Sequence, residues 1–275
     1  MTDTATIDAP RPEEGAGNKH GEFIWYELIT SDADAAQRFY APMLGWSVAD
    51  FGMADMDYRI ASTPDAAVAG IMKTPANSPM PPAWLGYVGV DDVDAAVASV
   101  SAGGGAVHMP AWDVPGVGRM ALVADPQGAV FYVMRGFSNE RSLAFAYDRP
   151  RPGHCAWNEL STTDPAAAWT FYGERFGWVK DCDLDIGELG KYEFIRHGEA
   201  MIGAIMPKAK QMPVSAWSYY FRVPDIDVAA RHIGENGGSL FMEPMEIPGG
   251  EYSLAASDPQ GAAFGLVGPR NGEGR

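Results

Sequence analysis

Cysteine is nearly absent from this chain: there are two in 275 residues, Cys155 and Cys182. That excludes a disulfide framework and the paired spacing of a structural zinc site, and it fits a reducing cytoplasm. Histidine is scarce as well. The five residues His20, His108, His154, His197 and His232 do not recur at the repeat spacing described below, so scattered surface or structural roles are their plain reading. Positive charge is in deficit, with 20 Lys and Arg against 36 Asp and Glu, a formal charge of −16. Nucleic acid and anionic membrane both need a basic face, and neither is expected as a partner. The same charge serves solubility. Nowhere is there an apolar run of the roughly 18 residues that a membrane span needs. The N-terminal Met1 to Lys19 has no apolar segment of a secretory signal; rich in Asp, Glu, Pro and Gly, it reads as a disordered tail.

What the chain has instead is repetition. A strand-like run followed by Asp and an Ala-rich helix start occurs four times, at Asp32, Asp92, Asp164 and Asp225. Phe39-Tyr40 returns as Phe171-Tyr172, and Gly45-Trp46 as Gly177-Trp178, both 132 residues on. Asp125-Pro126-Gln127-Gly128 returns as Asp258-Pro259-Gln260-Gly261 after 133. Four modules in two pairs follow from this, and such repeats dictate the architecture. Each module reads β-α-β-β-β. In the first, Phe23 to Thr30 is a strand by its aromatic and β-branched content. Asp32 caps a helix whose apolar residues recur at three- and four-residue steps, and Gly45 ends it. The Asp-Pro-Gln-Gly segments are reverse turns between the last two strands of each pair.

These features resemble the vicinal oxygen chelate superfamily, which includes glyoxalase I, extradiol dioxygenases and bleomycin-resistance proteins. They resemble in particular its tandem glyoxalase-like "hydroxylase" type. The resemblance covers roughly residues 21–268. It implies an α+β protein of two tandem glyoxalase-like domains, each made of paired βαβββ modules that form an eight-stranded cup. The expected boundaries are a disordered tail at 1–20, the first domain at 21–138, a linker at 139–152, the second domain at 153–268 and a tail at 269–275. Whether modules pair in order or swap stays open, as does a homodimer.

Catalytic relatives hold a divalent metal in the cup through His, Gln or Glu. The resemblance carries the first-strand ligand positions, seven residues before each capping Asp, onto Trp25, Leu85, Trp157 and Ser218. The last-strand position falls on Tyr132 and Gly265. No metal and no other cofactor is therefore expected, and Trp25, Trp157, Leu85, Ser218 and Tyr132 become candidate ligand-lining residues. Five residues before the capping Asp stand Glu27, Tyr87, Glu159 and Tyr220. Glu27 shares a strand face with Trp25, so each domain is expected to point one glutamate into its cup, near one tyrosine. Such a carboxyl is a candidate acid or base, or an anchor for a ligand. The plainer reading is a buried acid satisfied by a phenol. Cys155 has the parity of Trp157 and could face the cup, though an inert buried thiol is the default. The expected function is binding of a small, mostly apolar molecule in metal-free, aromatic-lined cups. The alternatives are lyase- or isomerase-type acid–base chemistry at Glu27 or Glu159, and a metal-dependent lyase or dioxygenase with non-standard ligands.

Overall fold

The computed structural model describes residues 17–53, 56–74 and 80–271. Four helices start where the sequence places them. Each is N-capped by the aspartate of its repeat: Asp32 before α1 (Ala33–Leu44), Asp92 before α2 (Val93–Ala102), Asp164 before α3 (Pro165–Phe176) and Asp225 before α4 (Ile226–Glu235). The carboxylate oxygens accept from backbone N–H groups of the first turn at 2.9–3.1 Å, satisfying donors that a helix start leaves open. Pro165 sits at the first helical position, where no N–H is needed.

The strands form two eight-stranded sheets. The first comprises β1 (Phe23–Thr30), β2 (Ser47–Asp50), β3 (Tyr58–Ser62), β4 (Ala67–Lys73), β5 (Ala83–Gly89), β6 (Ala106–Val114), β7 (Gly118–Ala124) and β8 (Val130–Gly136). Its order is β2-β3-β4-β1-β5-β8-β7-β6. The second comprises β9 (Cys155–Thr162), β10 (Val179–Asp185), β11 (Lys191–His197), β12 (Ala200–Pro207), β13 (Ala216–Arg222), β14 (Ser239–Ile247), β15 (Glu251–Ser257) and β16 (Ala263–Gly268). Its order, β10-β11-β12-β9-β13-β16-β15-β14, is that of the first. Modules therefore pair in order. Within each sheet two half-sheets meet at antiparallel first strands, β1 with β5 and β9 with β13.

The face opposite each cup builds one core shared by both halves. Phe23, Tyr26, Trp84, Trp217, Tyr219 and Phe221 all belong to a single buried cluster with residues of all four helices. The repeated motifs fasten this interface reciprocally. The Tyr40 hydroxyl donates to Asp258 Oδ2 and the Tyr172 hydroxyl to Asp125 Oδ2, both at 3.1 Å. Trp84 and Trp217 each donate to their own domain's tyrosine at 3.0 Å. The Trp46 indole N–H donates to the carbonyl of Gly153 at 2.7 Å, and Trp178 to that of Gly21 at 2.8 Å. Gly21 has a positive φ and no room: a Cβ there would lie 2.2 Å from the Phe176 carbonyl oxygen.

The segment between the domains is packed rather than loose. Ala144 and Phe145 are buried, Phe145 bridges to Cys155, and Arg141 pairs with the buried Glu22 at 2.6 Å. Of the expected N-terminal tail, residues 1–16 lie outside the described residues; His20 bonds to the Arg175 carbonyl at 2.7 Å. Of the C-terminal one, 272–275 lie outside them.

Candidate functional site

Strand alternation sorts each central strand into a cup face and a core face. On β1 the cup face carries Trp25, Glu27 and Ile29, while Tyr26 and Leu28 enter the core. On β5 it carries Leu85 and Tyr87. Pairing sets Trp25 opposite Tyr87 and Glu27 opposite Leu85. In the second sheet Trp157 is opposite Tyr220 and Glu159 opposite Ser218. The parallel neighbours β8 and β16 place Tyr132 beside Tyr87 and Gly265 beside Tyr220.

One polar cluster results in each cup. In the first, the Tyr87 hydroxyl donates to Glu27 Oε2 at 3.0 Å, and the Trp25 indole donates to the Tyr58 hydroxyl at 3.2 Å. Glu27 is 4% exposed. Desolvation raises its carboxyl from the ordinary 4.5 to about 7, opposed by hydrogen bonds from Tyr87, Tyr58 and Tyr132. In the second cup the Tyr192 hydroxyl donates to Glu159 Oε2 at 2.8 Å and the Tyr220 hydroxyl to Oε1 at 3.1 Å. The Trp157 indole donates to Tyr192 at 2.6 Å. Burial raises the Glu159 carboxyl too, again against two phenol donors. Glu159 and Ser218 are half-buried, whereas Glu27 and Leu85 are sealed.

Both glutamates thus meet the tyrosines assigned to them by offset, with Trp25 and Trp157 alongside. Sequence reasoning missed Tyr58 and Tyr192. They lie 134 residues apart on β3 and β11, each two residues before another cup-facing apolar residue, and that recurrence was the available signal. Cys155 is not in the cup. The β9–β13 pairing shifts register between Tyr220 and Phe221, so the parity of Trp157 does not extend to it. It is fully buried in the shared core, its thiol pushed up to about 12 by desolvation.

The donor set does not fit a divalent ion. The first-strand positions offer two indoles, an alkyl chain and one hydroxyl; the last-strand positions offer a phenol and a glycine. The first cup face holds one carboxyl, Glu27; the second holds Glu159 and, by strand parity, Glu251, whose charge is taken up by Arg222. Among the described residues no group of three His, Cys, Asp or Glu side chains converges, and zinc-, manganese- or iron-type centres are built from such groups. A hollow of about 760 Å³ lies on the opposite side of the second sheet, between the start of α3 and β10–β12. Its charges are spent on one another, with Lys180 and Lys191 both on Asp183 and the Trp169 indole on Glu193.

Comparison with known proteins agrees with this architecture. A sequence profile of the Glyoxalase/Bleomycin resistance protein/Dioxygenase superfamily matches residues 22–133 and 151–266. The protein CFP32 of Mycobacterium bovis, which bears a provisional glyoxylase name, is 35% identical over 91% of this chain and 96% of its own. The anthracycline biosynthesis protein DnrV of Streptomyces peucetius is 32% identical over 92% of this chain and 94% of its own. The Mn(II)-bound glyoxalase of Novosphingobium aromaticivorans superposes with a TM-score of 0.62, covering 90% of this chain and 82% of that one, at 18% identity. The chain belongs to the glyoxalase/bleomycin resistance protein/dioxygenase superfamily, as a tandem two-domain member.

Proposed function

We propose that this protein binds a small, mostly apolar molecule in an aromatic-lined cup, without a metal, using a glutamate and its tyrosines as the polar anchor. The observation that carries this is the Trp–Tyr–Glu–Tyr cluster on the cup face, present around Glu159 and again around Glu27. Taking a carboxyl out of water is costly, and an apolar residue would serve stability better. A carboxyl that keeps unused lone pairs beside aromatic rings suits a ligand with an apolar body and one hydrogen-bonding group. Two of the similar proteins are named for anthracycline biosynthesis, which supports a fused-ring ligand. The two free thiols, one of them exposed, support a cytoplasmic location.

A second reading is favoured by the raised carboxyl pKa. A glutamate whose burial favours the protonated form is suited to exchange protons with a bound substrate, as lyase- or isomerase-type chemistry at an activated C–H requires. The experiment is native mass spectrometry of protein purified from its own host, followed by binding of the co-purified molecule to Glu159→Gln. Loss of binding with an unchanged melting temperature supports the anchor. Retained binding with lost turnover supports proton transfer. Full binding and turnover in Glu159→Gln would remove both. Elemental analysis of the same preparation checks the metal: zinc, iron, nickel or manganese is expected far below one equivalent, and a stoichiometric ion lost on a point substitution would overturn the metal-independent reading.

A further inference from the structure

The two cups are lined by the same scaffold but not filled alike. On the first, Ile29, Leu85, Met120, Leu122, Tyr132 and Met134 pack into a hydrophobic cluster of their own, separate from the shared core. None is more than 9% exposed, and Tyr87 stacks on Tyr132 with ring centroids 4.2 Å apart. Glu27 lies sealed beneath them. The equivalent positions of the second sheet carry Ser161, Ser218, Ser253, Ala255, Gly265 and Val267. Register confirms the equivalence. Leu122 pairs with Tyr132, and Ala255 with Gly265; Met120 pairs with Met134, and Ser253 with Val267. Every one of the six is smaller than its counterpart.

This loss of volume uncovers a surface. Ser218, Ser253 and Ala255 are partly exposed where Leu85, Met120 and Leu122 are buried. Gly265 supplies no ring to stack on Tyr220; instead the Tyr220 ring leans across it, its Cδ1 2.2 Å from where a Cβ would stand. Opposite these small residues stands an aromatic wall. Phe194 meets Trp157 edge-on at 5.8 Å and Tyr192 at 5.4 Å. Between wall and floor lies the half-buried Glu159. Each of its oxygens accepts one phenol and keeps acceptor capacity for a further donor.

We infer that the second cup alone takes the ligand, that the first is filled by its own side chains in the ligand's place, and that the ligand is a flat ring-bearing molecule offering a hydrogen-bond donor to Glu159. This rests on the reading of the cups as binding sites. A flat body is required because a wall of rings faces a floor of small residues; a donor is required because the group at the end of the slot is an acceptor. Specificity for one cup over the other resides in the six volume positions, not in the polar cluster that both cups share.

The test uses the full chain, 2,6-dihydroxyanthraquinone (whose hydroxyls make no internal hydrogen bond) as probe, and 8-anilinonaphthalene-1-sulfonate in parallel, with thermal unfolding run on every variant. The native protein is expected to bind one equivalent of the anthraquinone with quenching of tryptophan fluorescence. Ser218→Leu, and Ser218→Leu with Ala255→Leu, restore side chains that the first sheet already accommodates; they are expected to weaken binding by about tenfold or more at an unchanged melting temperature. Leu85→Ser with Leu122→Ala is expected to leave the native site intact. Should the double filling variant fail to fold, the single Ser218→Leu gives the same readout. Binding that survives both filling variants, or two equivalents on the native chain, overturns the assignment to the second cup while leaving cup binding standing. No saturable anthraquinone binding overturns the ligand class. The naphthalene probe then decides the broader reading, which falls if that probe also finds no saturable site sensitive to Ser218→Leu.

Discussion

Glu27 titrates among phenols, and the sign of its effect on stability follows from where its pKa lies. The folded-state value, about 7, is above the ordinary 4.5, so the folded state binds the proton more tightly. Its favourable contribution is complete below about pH 4.5 and declines as pH rises through 7, by on the order of 3 kcal/mol in all. Glu27→Gln keeps the shape and removes the titration. Urea unfolding at pH 5 and pH 8 is expected to show the variant gaining on the native chain as pH rises; a difference independent of pH would mean that the carboxyl is not desolvated. At this scale much was legible. The offset from each capping aspartate placed both glutamates and two of the tyrosines, because strand alternation is a local rule. For Cys155 the same rule only left the cup open as an option; a register shift one residue away cancels it, and the default of a buried thiol is what the fold shows. Tyr58 and Tyr192 escaped because they reach the glutamates from a strand two places along the sheet, and sequence offset from the helix cap says nothing about them.

The Asp-Pro-Gln-Gly hairpins show what an element can hide. They close as reverse turns, with Gly128 N–H to the Asp125 carbonyl and Gly261 N–H to that of Asp258, both at 3.0 Å. This much the residues announce. Their further use does not appear in the spacing: the aspartate side chain receives backbone N–H groups of its own turn through Oδ1 and, through Oδ2, the tyrosine of the other domain's helix. Contacts between halves leave no periodicity within either half. Tyr172→Phe therefore strips a donor from a carboxylate that is 2% exposed, and the expected cost is about 1–3 kcal/mol. Chemical unfolding is the measurement, with the partly exposed Tyr252→Phe as control. Equal, negligible losses in both variants would mean that water replaces the phenol at no cost and that the hairpin does not fasten the domains.

At the scale of the molecule, the halves are related by a near-twofold operation, and residues close to that axis face their own equivalents. There the repeat breaks down. Tyr26 and its counterpart Asn158 meet each other, hydroxyl to amide oxygen at 2.7 Å. Gly86 meets its counterpart Tyr219, whose ring would lie 2.7 Å from a Cβ added to the glycine. Two copies of the first half would bring two tyrosines together at one point and leave a void at the other; two copies of the second would set a pair of Tyr219 rings into the same space. In a symmetric dimer each contact occurs twice or on the axis, so these pairs encode a preference for the unlike partner. Residues 17–138 and 139–271, produced as separate chains, are expected to elute as a one-to-one complex when mixed and to form no stable self-dimer alone, as sedimentation would show; self-association as strong as the mixed complex would contradict it. Because the pairs that discriminate lie on the core face and the six volume positions on the other, partner choice and pocket shape are free to drift apart. Side chains on the cup face of one half can change without disturbing the pairs that hold the other half in place, and a single fused chain keeps two unlike partners together in fixed proportion.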